Sequence, residues 1–175
     1  MDPHLFLDRD GTLIREENYL RDPDLVVLEN GAVDGLLRFA AIGYRLVVVS
    51  NQSGVGRGLI TEEDVIAVNC RVRQLLAQQR VSISSWHHCS HRPDQGCNCR
   101  KPGRGLFEEA AKLHPVDWER SLMVGDKPSD VQAGLSLGMA SALITTGYGG
   151  KHIEWAQQHG IPIVHSLDDM ADQFI

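Results

Sequence analysis

Asp8 and Asp10 stand one residue apart at the exit of a short apolar run, Leu5-Phe6-Leu7, in the segment Asp8-Arg9-Asp10-Gly11-Thr12. Two carboxylates this close to a buried strand end resist ionisation unless a cation offsets their repulsion. A hard divalent ion suits them, because Mg²⁺ takes oxygen ligands, keeps several waters and is commonly held by one or two carboxylates plus a substrate phosphate. By itself the segment is also a competent turn, since Asp, Gly and Thr all favour one.

Two further strand exits carry polar residues. The β-branched run Tyr44-Arg45-Leu46-Val47-Val48-Val49 breaks into Ser50, Asn51, Gln52 and Ser53 and then Gly54, Gly56 and Gly58, the profile of a buried strand feeding a ligand loop. Leu122-Met123-Val124-Gly125 runs into Asp126, Lys127 and Asp130, with a helix starting near Ser129. Between them lie two adjacent cations, Arg100 and Lys101, followed by Pro102 and Gly103. Ligands of open α/β sheets bind outside the carboxyl ends of the strands, so three strand ends and one basic loop are expected to share a cleft.

A separate cluster occupies residues 89–99, where Cys89, His91, Cys97 and Cys99 fall within eleven residues around a Pro- and Gly-containing turn. Paired ligands of this kind close a tetrahedral site of three sulfurs and one nitrogen, which reads as structural Zn²⁺. The competing reading is a set of reduced loop cysteines. Disulfides are not expected in what reads as a cytoplasmic chain without a leader segment. His87 and His88 continue the preceding strand, which leaves His91 as the expected nitrogen ligand. Cys70 is expected to be a small core residue of a helix. Because the zinc loop ends at Arg100, metal binding there is expected to position the basic loop.

The elements that must present these groups alternate. Strands are expected at Leu5–Leu7, up to Ser50, at Ile83–His88, up to Gly125, at Ala140–Ile144 and at Ile161–Val164. Helices are expected at Ala32–Ala41, from a Thr61/Asp64 capping box to about Gln79, and at Gly105–Leu113, Asp130–Leu137 and Ile153–His159. Residues 10–27 form a polar excursion. This alternation predicts a single α/β, Rossmann-like domain over residues 1–175, with a mostly parallel central sheet, helices on both faces and no large cap domain. A length of 175 residues suits one domain. The net charge of −6 argues against a nucleic-acid partner, and no apolar run is long enough to span a bilayer. A monomer with a small-molecule ligand is expected.

With these pieces in place the sequence resembles the haloacid dehalogenase superfamily of phosphohydrolases, and within it the small group of histidinol-phosphate and D-glycero-D-manno-heptose 1,7-bisphosphate phosphatases. Asp8-Arg9-Asp10-Gly11-Thr12, Ser50, Lys101 and Gly125-Asp126-Lys127 through Asp130 match its four motifs in order, and the cysteine loop running into Arg100-Lys101-Pro102 matches the smaller group. The resemblance implies that Asp8 is the nucleophile, Asp10 the general acid and base, and Ser50 and Lys101 the partners of the phosphoryl oxygens. It implies Mg²⁺ on Asp8, the Asp10 carbonyl and Asp126, with Asp130 supporting Lys127. Substrate contacts are expected from Glu16, Glu17, Asn18, Tyr19, Asn51, Gln52, Ser53, Arg100 and Lys127. Arg57 either reads a remote phosphate or is merely solvated. Arg9 is expected to point away from both aspartates if the strand pleat continues.

The segment Asn51 to Gly58 looks more like the heptose enzyme, which implies removal of the 7-phosphate from a phosphosugar bisphosphate in the route to lipopolysaccharide heptose. Histidinol-phosphate phosphatase is the alternative within the same chemistry, and the five residues between His91 and Cys97 suit it too. A catalytically silent metal-dependent binding module is the alternative from another class.

Overall fold

The computed structural model describes residues 1–175. Its strands are β1 (His4–Leu7), β2 (Arg45–Asn51), β3 (Ser85–Cys89), β4 (Leu122–Gly125), β5 (Ala140–Ile144) and β6 (Ile163–Val164). They form one six-stranded sheet in the order β3-β2-β1-β4-β5-β6, and every pairing is parallel. The helices are α1 (Ala32–Ala41), α2 (Ser53–Gly56), α3 (Glu62–Gln78), α4 (Gly105–Leu113), α5 (Pro128–Ser136), α6 (Ile153–Gln158) and α7 (Leu167–Phe174).

The period-2 alternation of the strands divides the core. Leu5 and Leu7 of β1, Leu46 and Val48 of β2 and Val124 of β4 pack with Leu36 and Phe39 of α1, Val68 and Val72 of α3 and Met170 of α7. Phe6, Val47, Val49 and Met123 face the other way, onto Leu106, Phe107 and Ala110 of α4 and Ala133 of α5. Burial of each such side chain contributes about 1.5–3 kcal/mol, so both faces of β1 are firmly held. With β2 on one side and β4 on the other, β1 is the strand at which the order reverses, and its carboxyl end opens into the crevice where such sheets bind ligands.

Local signals account for most boundaries. Thr61 caps α3 reciprocally with Asp64: the Asp64 amide donates to Thr61 Oγ1 at 3.1 Å and the Thr61 amide to Asp64 Oδ2 at 2.8 Å. Helix α5 begins at Pro128, two residues earlier than expected, because proline is well placed at the first helical position. Helix α7, for which the sequence reading names no element, starts from Ser166, whose side chain accepts the Asp169 amide at 2.9 Å. Helices α1 and α7 meet at Gly35, where a Cβ would lie 2.3 Å from the Leu167 backbone.

Cys70 is exposed on α3, contrary to the core position expected for it. The buried stripe of that helix is Val65, Val68, Val72 and Leu76, and residue 70 falls on the opposite side.

Candidate active site

Strand β1 ends at Leu7, and the Asp8 amide extends its ladder by donating to Val124 O at 3.0 Å. The chain then turns at Gly11 (φ 76°), whose carbonyl accepts from Thr146 Oγ1 at 2.7 Å. The buried Asp8 carboxylate receives Lys101 Nζ at 2.8 Å. The same ammonium donates to Asp130 Oδ1 at 2.7 Å and to Val49 O at 2.6 Å, which uses its three protons. Burial works against the Lys101 charge, yet Asp130 and Asp8 together hold its pKa above the ordinary lysine value. Asp130 is therefore not an exposed helix-start charge: its other oxygen takes the Lys127 amide at 3.0 Å.

Asp126 follows β4 and points to the same place. Its Oδ2 accepts the Tyr148 amide at 2.8 Å, whereas Oδ1 is buried with no partner. Gly11 and Gly147 make room for it, since a Cβ at either would lie 2.3 or 2.4 Å from Asp126 Oδ2. Carboxylate oxygens of Asp8, Asp126 and Asp130 lie within 4.8 Å of one another. Burial pushes Asp126 up to about 8, with the charge of Asp8 adding to the effect. Asp8 is pushed up to about 6 by burial although Lys101 beside it pulls the other way. A cluster of hard oxygen donors this short of positive charge, with one oxygen free, fits Mg²⁺.

Asp10 lines the same cleft as Asp8. Its carboxylate receives Arg9 Nε at 3.0 Å on Oδ2, Arg9 Nη2 at 3.2 Å on Oδ1, and Gln52 Nε2 at 2.7 Å on Oδ2. Gln52 Nε2 also lies 2.7 Å from the buried Ser50 Oγ. Arg9 thus turns toward Asp10 instead of away from it. The pleat that would direct it elsewhere stops at Leu7, two residues earlier.

The basic loop is tied to β2 through Asn51, whose Nδ2 donates to Lys101 O at 3.1 Å and whose Oδ1 accepts the Lys101 amide at 2.9 Å. Just before it, the four residues of the cysteine segment converge. Cys89 Sγ is 3.4 Å from His91 Nδ1, 3.6 Å from Cys97 Sγ and 3.1 Å from Cys99 Sγ, and His91 Nδ1 is 3.2 Å from Cys99 Sγ. A tetrahedron with Zn–S near 2.3 Å and Zn–N near 2.0 Å has edges of about 3.5–3.8 Å, so the donor set fits zinc. Burial and the neighbouring Cys99 and Cys97 thiols push Cys89 up to about 12, a cost that a cation would remove. His87 and His88 lie elsewhere, against Ser85 and Glu62.

Asp8, Asp10, Lys101, Lys127, Arg100, Asn51, Gln52 and Ser53 line one polar cleft of about 190 Å³ together with Glu16, Asn18 and Tyr19. Asn18 (φ 49°) and Tyr19 (φ 61°) are both left-handed, a conformation uncommon for non-glycine residues, and the Tyr19 ring lies so close to Gly54 that a Cβ there would be 2.6 Å from it. Burial and the nearby Asp10 raise the pKa of Glu16. Arg100 Nη1 is buried without a hydrogen-bond partner. Glu17 is exposed and does not line the cleft. Arg57 lies outside it as well, beside Arg92, Pro93 and Asp94 in a separate depression. Sequence reasoning missed Arg9, Ser129 and Tyr148. Tyr148 had a signal, because it follows the carboxyl end of another strand, β5.

The family model described as HAD-hydrolase-like matches residues 98–170. A Pseudomonas putida protein named D-glycero-beta-D-manno-heptose-1,7-bisphosphate 7-phosphatase is 34% identical over 173 residues, covering 95% of this chain and 94% of its own length. The chain belongs to the haloacid dehalogenase superfamily. A Thermoplasma volcanium relative of this superfamily member, named as a probable heptose-1,7-bisphosphate 7-phosphatase, is 39% identical over 123 residues, covering 70% of this chain and 84% of its own. Among solved structures, a D,D-heptose 1,7-bisphosphate phosphatase from B. bronchiseptica, complexed with magnesium and phosphate, superposes with a TM-score of 0.89 at 30% identity, covering 98% and 97% of the two chains.

Proposed function

We propose that the protein is a Mg²⁺-dependent phosphatase that removes the 7-phosphate of D-glycero-D-manno-heptose 1,7-bisphosphate, a step toward nucleotide-activated heptose for lipopolysaccharide. The observation that carries this reading is the likeness, over nearly the whole chain, to proteins named for that reaction. The cleft supports it chemically. Asp8 is the nucleophile: its carboxylate oxygen bonds to phosphorus as the bond from phosphorus to the sugar oxygen breaks, leaving an aspartyl phosphate. Asp10 gives its proton to the departing alkoxide. It then takes one from the water whose oxygen attacks the phosphorus, releasing inorganic phosphate and restoring Asp8. Lys101 and the free Arg100 Nη1, both in the cleft lining, neutralise phosphoryl charge, whereas Ser50 is buried beside Gln52 and outside that lining.

Asp8, Asp126 and the Asp10 carbonyl would hold the Mg²⁺, which supplies charge neutralisation and orientation to the transferred group. Cys89, His91, Cys97 and Cys99 would hold Zn²⁺, which takes no part in proton or phosphoryl transfer and fixes the loop that presents Arg100 and Lys101. Residues 1–175 act as one catalytic domain, with no inserted cap, so the sugar is gripped by the Glu16–Tyr19 loop and α2. No helix is long and apolar enough to cross a membrane; the proposed reading takes the protein as a cytoplasmic monomer acting on a phosphosugar.

The test is phosphate release with added Mg²⁺ from heptose 1,7-bisphosphate and from histidinol phosphate on one preparation. The expected result is a higher kcat/KM for the bisphosphate. Faster turnover of histidinol phosphate would overturn the substrate assignment and leave the phosphatase chemistry.

A further inference from the structure

Arg9 is among the largest fully buried side chains in the molecule, at 1% exposure. A guanidinium taken out of water is costly unless a carboxylate and further acceptors meet its protons. The carboxylate that meets it is Asp10, and two guanidinium nitrogens reach it: Nε lies 3.0 Å from Oδ2, and Nη2 bridges the two oxygens at 3.0 Å from Oδ2 and 3.2 Å from Oδ1. Such a fork fixes the plane of a carboxylate, which a single hydrogen bond leaves free to rotate. The third prong reaches across the molecule: Nη1 donates to Asn69 Oδ1, on α3, at 2.8 Å. Asn69 sits next to the apolar stripe of that helix, one residue after Val68.

Donors are shared unequally between the two Asp10 oxygens. Oδ2 receives Arg9 Nε and Gln52 Nε2 and also has Arg9 Nη2 at 3.0 Å, whereas Oδ1 has that shared Nη2 alone, at 3.2 Å. A carboxylate oxygen with one donor keeps a lone pair to spare. We infer that Arg9, itself held by Asn69, is the positioning residue that fixes Asp10 so that Oδ1 exchanges the proton with the leaving oxygen and then with water. This rests on the reading of Asp10 as acid and base in the proposed function. Its consequence is that α3, which contributes no residue to the cleft lining, sets the geometry of the proton-transfer step.

The experiment compares Arg9→Lys, Asn69→Leu and Asn69→Asp with Asp10→Asn. Each is assayed on p-nitrophenyl phosphate and on whichever alkyl phosphate the wild type turns over fastest among heptose 1,7-bisphosphate, histidinol phosphate and hexose 6-phosphates. Proton donation matters for an alkoxide and little for a nitrophenolate, so a misplaced acid penalises the alkyl ester selectively. Misplacement of a catalytic group by about 1 Å costs up to ~100-fold. Arg9→Lys and Asn69→Leu are each expected to lower kcat for the alkyl ester about tenfold or more with little change in KM, and to lower the aryl ester less than about threefold. Asn69→Asp, which keeps an acceptor for Nη1, is expected to retain most of the alkyl rate. If Arg9→Lys does not fold, the two Asn69 variants decide. Equal losses on both esters, no loss on either, or no rescue by Asn69→Asp overturns the inference while Asp10→Asn remains selective. An Asp10→Asn variant that loses as much on the aryl as on the alkyl ester overturns the parent assignment of the acid, and the inference with it.

Discussion

The molecule holds two clusters of side chains able to ligate a metal ion, built in opposite ways. Asp8 is more than a hundred residues from Asp126 and Asp130 in the sequence, so two strand ends and a helix start supply the three, and all are buried. Cys89, His91, Cys97 and Cys99 come from one eleven-residue segment that begins at the last residue of β3 and in which only Cys89 is buried. The carboxylates stand where the sheet puts them, with both faces of β1 packed, so their geometry does not depend on an ion. The loop has few buried side chains of its own, and its shape depends on what the thiols and imidazole bind. An exchangeable hard ion suits the first and a permanent soft-ligand ion the second. The two clusters meet at Arg100 and Lys101, which follow Cys99 directly and reach into the cleft.

The comparison is broken most severely by Asp8→Asn. It is expected to lower turnover by at least ~1000-fold, about 4 kcal/mol of barrier, while the thermal unfolding midpoint stays at or above wild type. A loss of stability together with activity would show that the carboxylate cluster holds the fold. Cys97→Ser or Cys99→Ser is expected to do what Asp8→Asn does not. Elemental analysis should show about one zinc in the wild type and none in the variant, with Tm down by several degrees and activity reduced about tenfold through the loosened basic loop. Full activity in a zinc-free variant would separate the two clusters altogether.

Smaller effects sharpen the contrast. Arg100→Ala should narrow the preference for a bisphosphate over its monophosphate about tenfold in kcat/KM, whereas Arg57→Ala should leave it within about twofold, because Arg57 lies outside the cleft. Asp126→Asn should abolish Mg²⁺-dependent turnover and yet raise the Tm of the metal-free protein by a few degrees, about 1 kcal/mol. The sign follows from burial, which pushes Asp126 up to about 8. A raised carboxylate pKa penalises the folded state as pH climbs from the unfolded value near ~4 to the folded one. The gain from Asn should therefore be largest at and above pH 8, fall as pH is lowered, and vanish near pH 4. Melting curves in EDTA across that range check it.

Much of the site was legible because its residues mark the ends of apolar runs. Asp8, Ser50 and Asp126 each follow a continuous hydrophobic strand, and the cysteine spacing is local enough to read without a fold. The direction of Arg9 was not legible, because it depends on β1 stopping at Leu7, a boundary set by tertiary pairing. Arg57 was ambiguous for a similar reason: the short helix α2 carries it toward Arg92 and away from the cleft, and nothing in a glycine-rich segment specifies that rotation. Cys70 was misread, although the spacing of Val65, Val68, Val72 and Leu76 already excludes residue 70 from the buried stripe. Helix α7 announces itself through Ser166 and Asp169, a capping signal masked by the acidic residues around it.

The position of β1 also has a consequence for how the protein is made. Asp8 follows β1, which pairs with β2 at Leu46 and with β4 at Leu122. On the ribosome, then, β1 waits through the synthesis of more than a hundred residues before its second neighbour appears. Until then one edge of β1 is open, and Asp8 lacks both Val124 and the Asp126 carboxylate. Phosphatase activity therefore requires β4 to insert beside β1, and its onset would report closure of the central sheet in a refolding experiment.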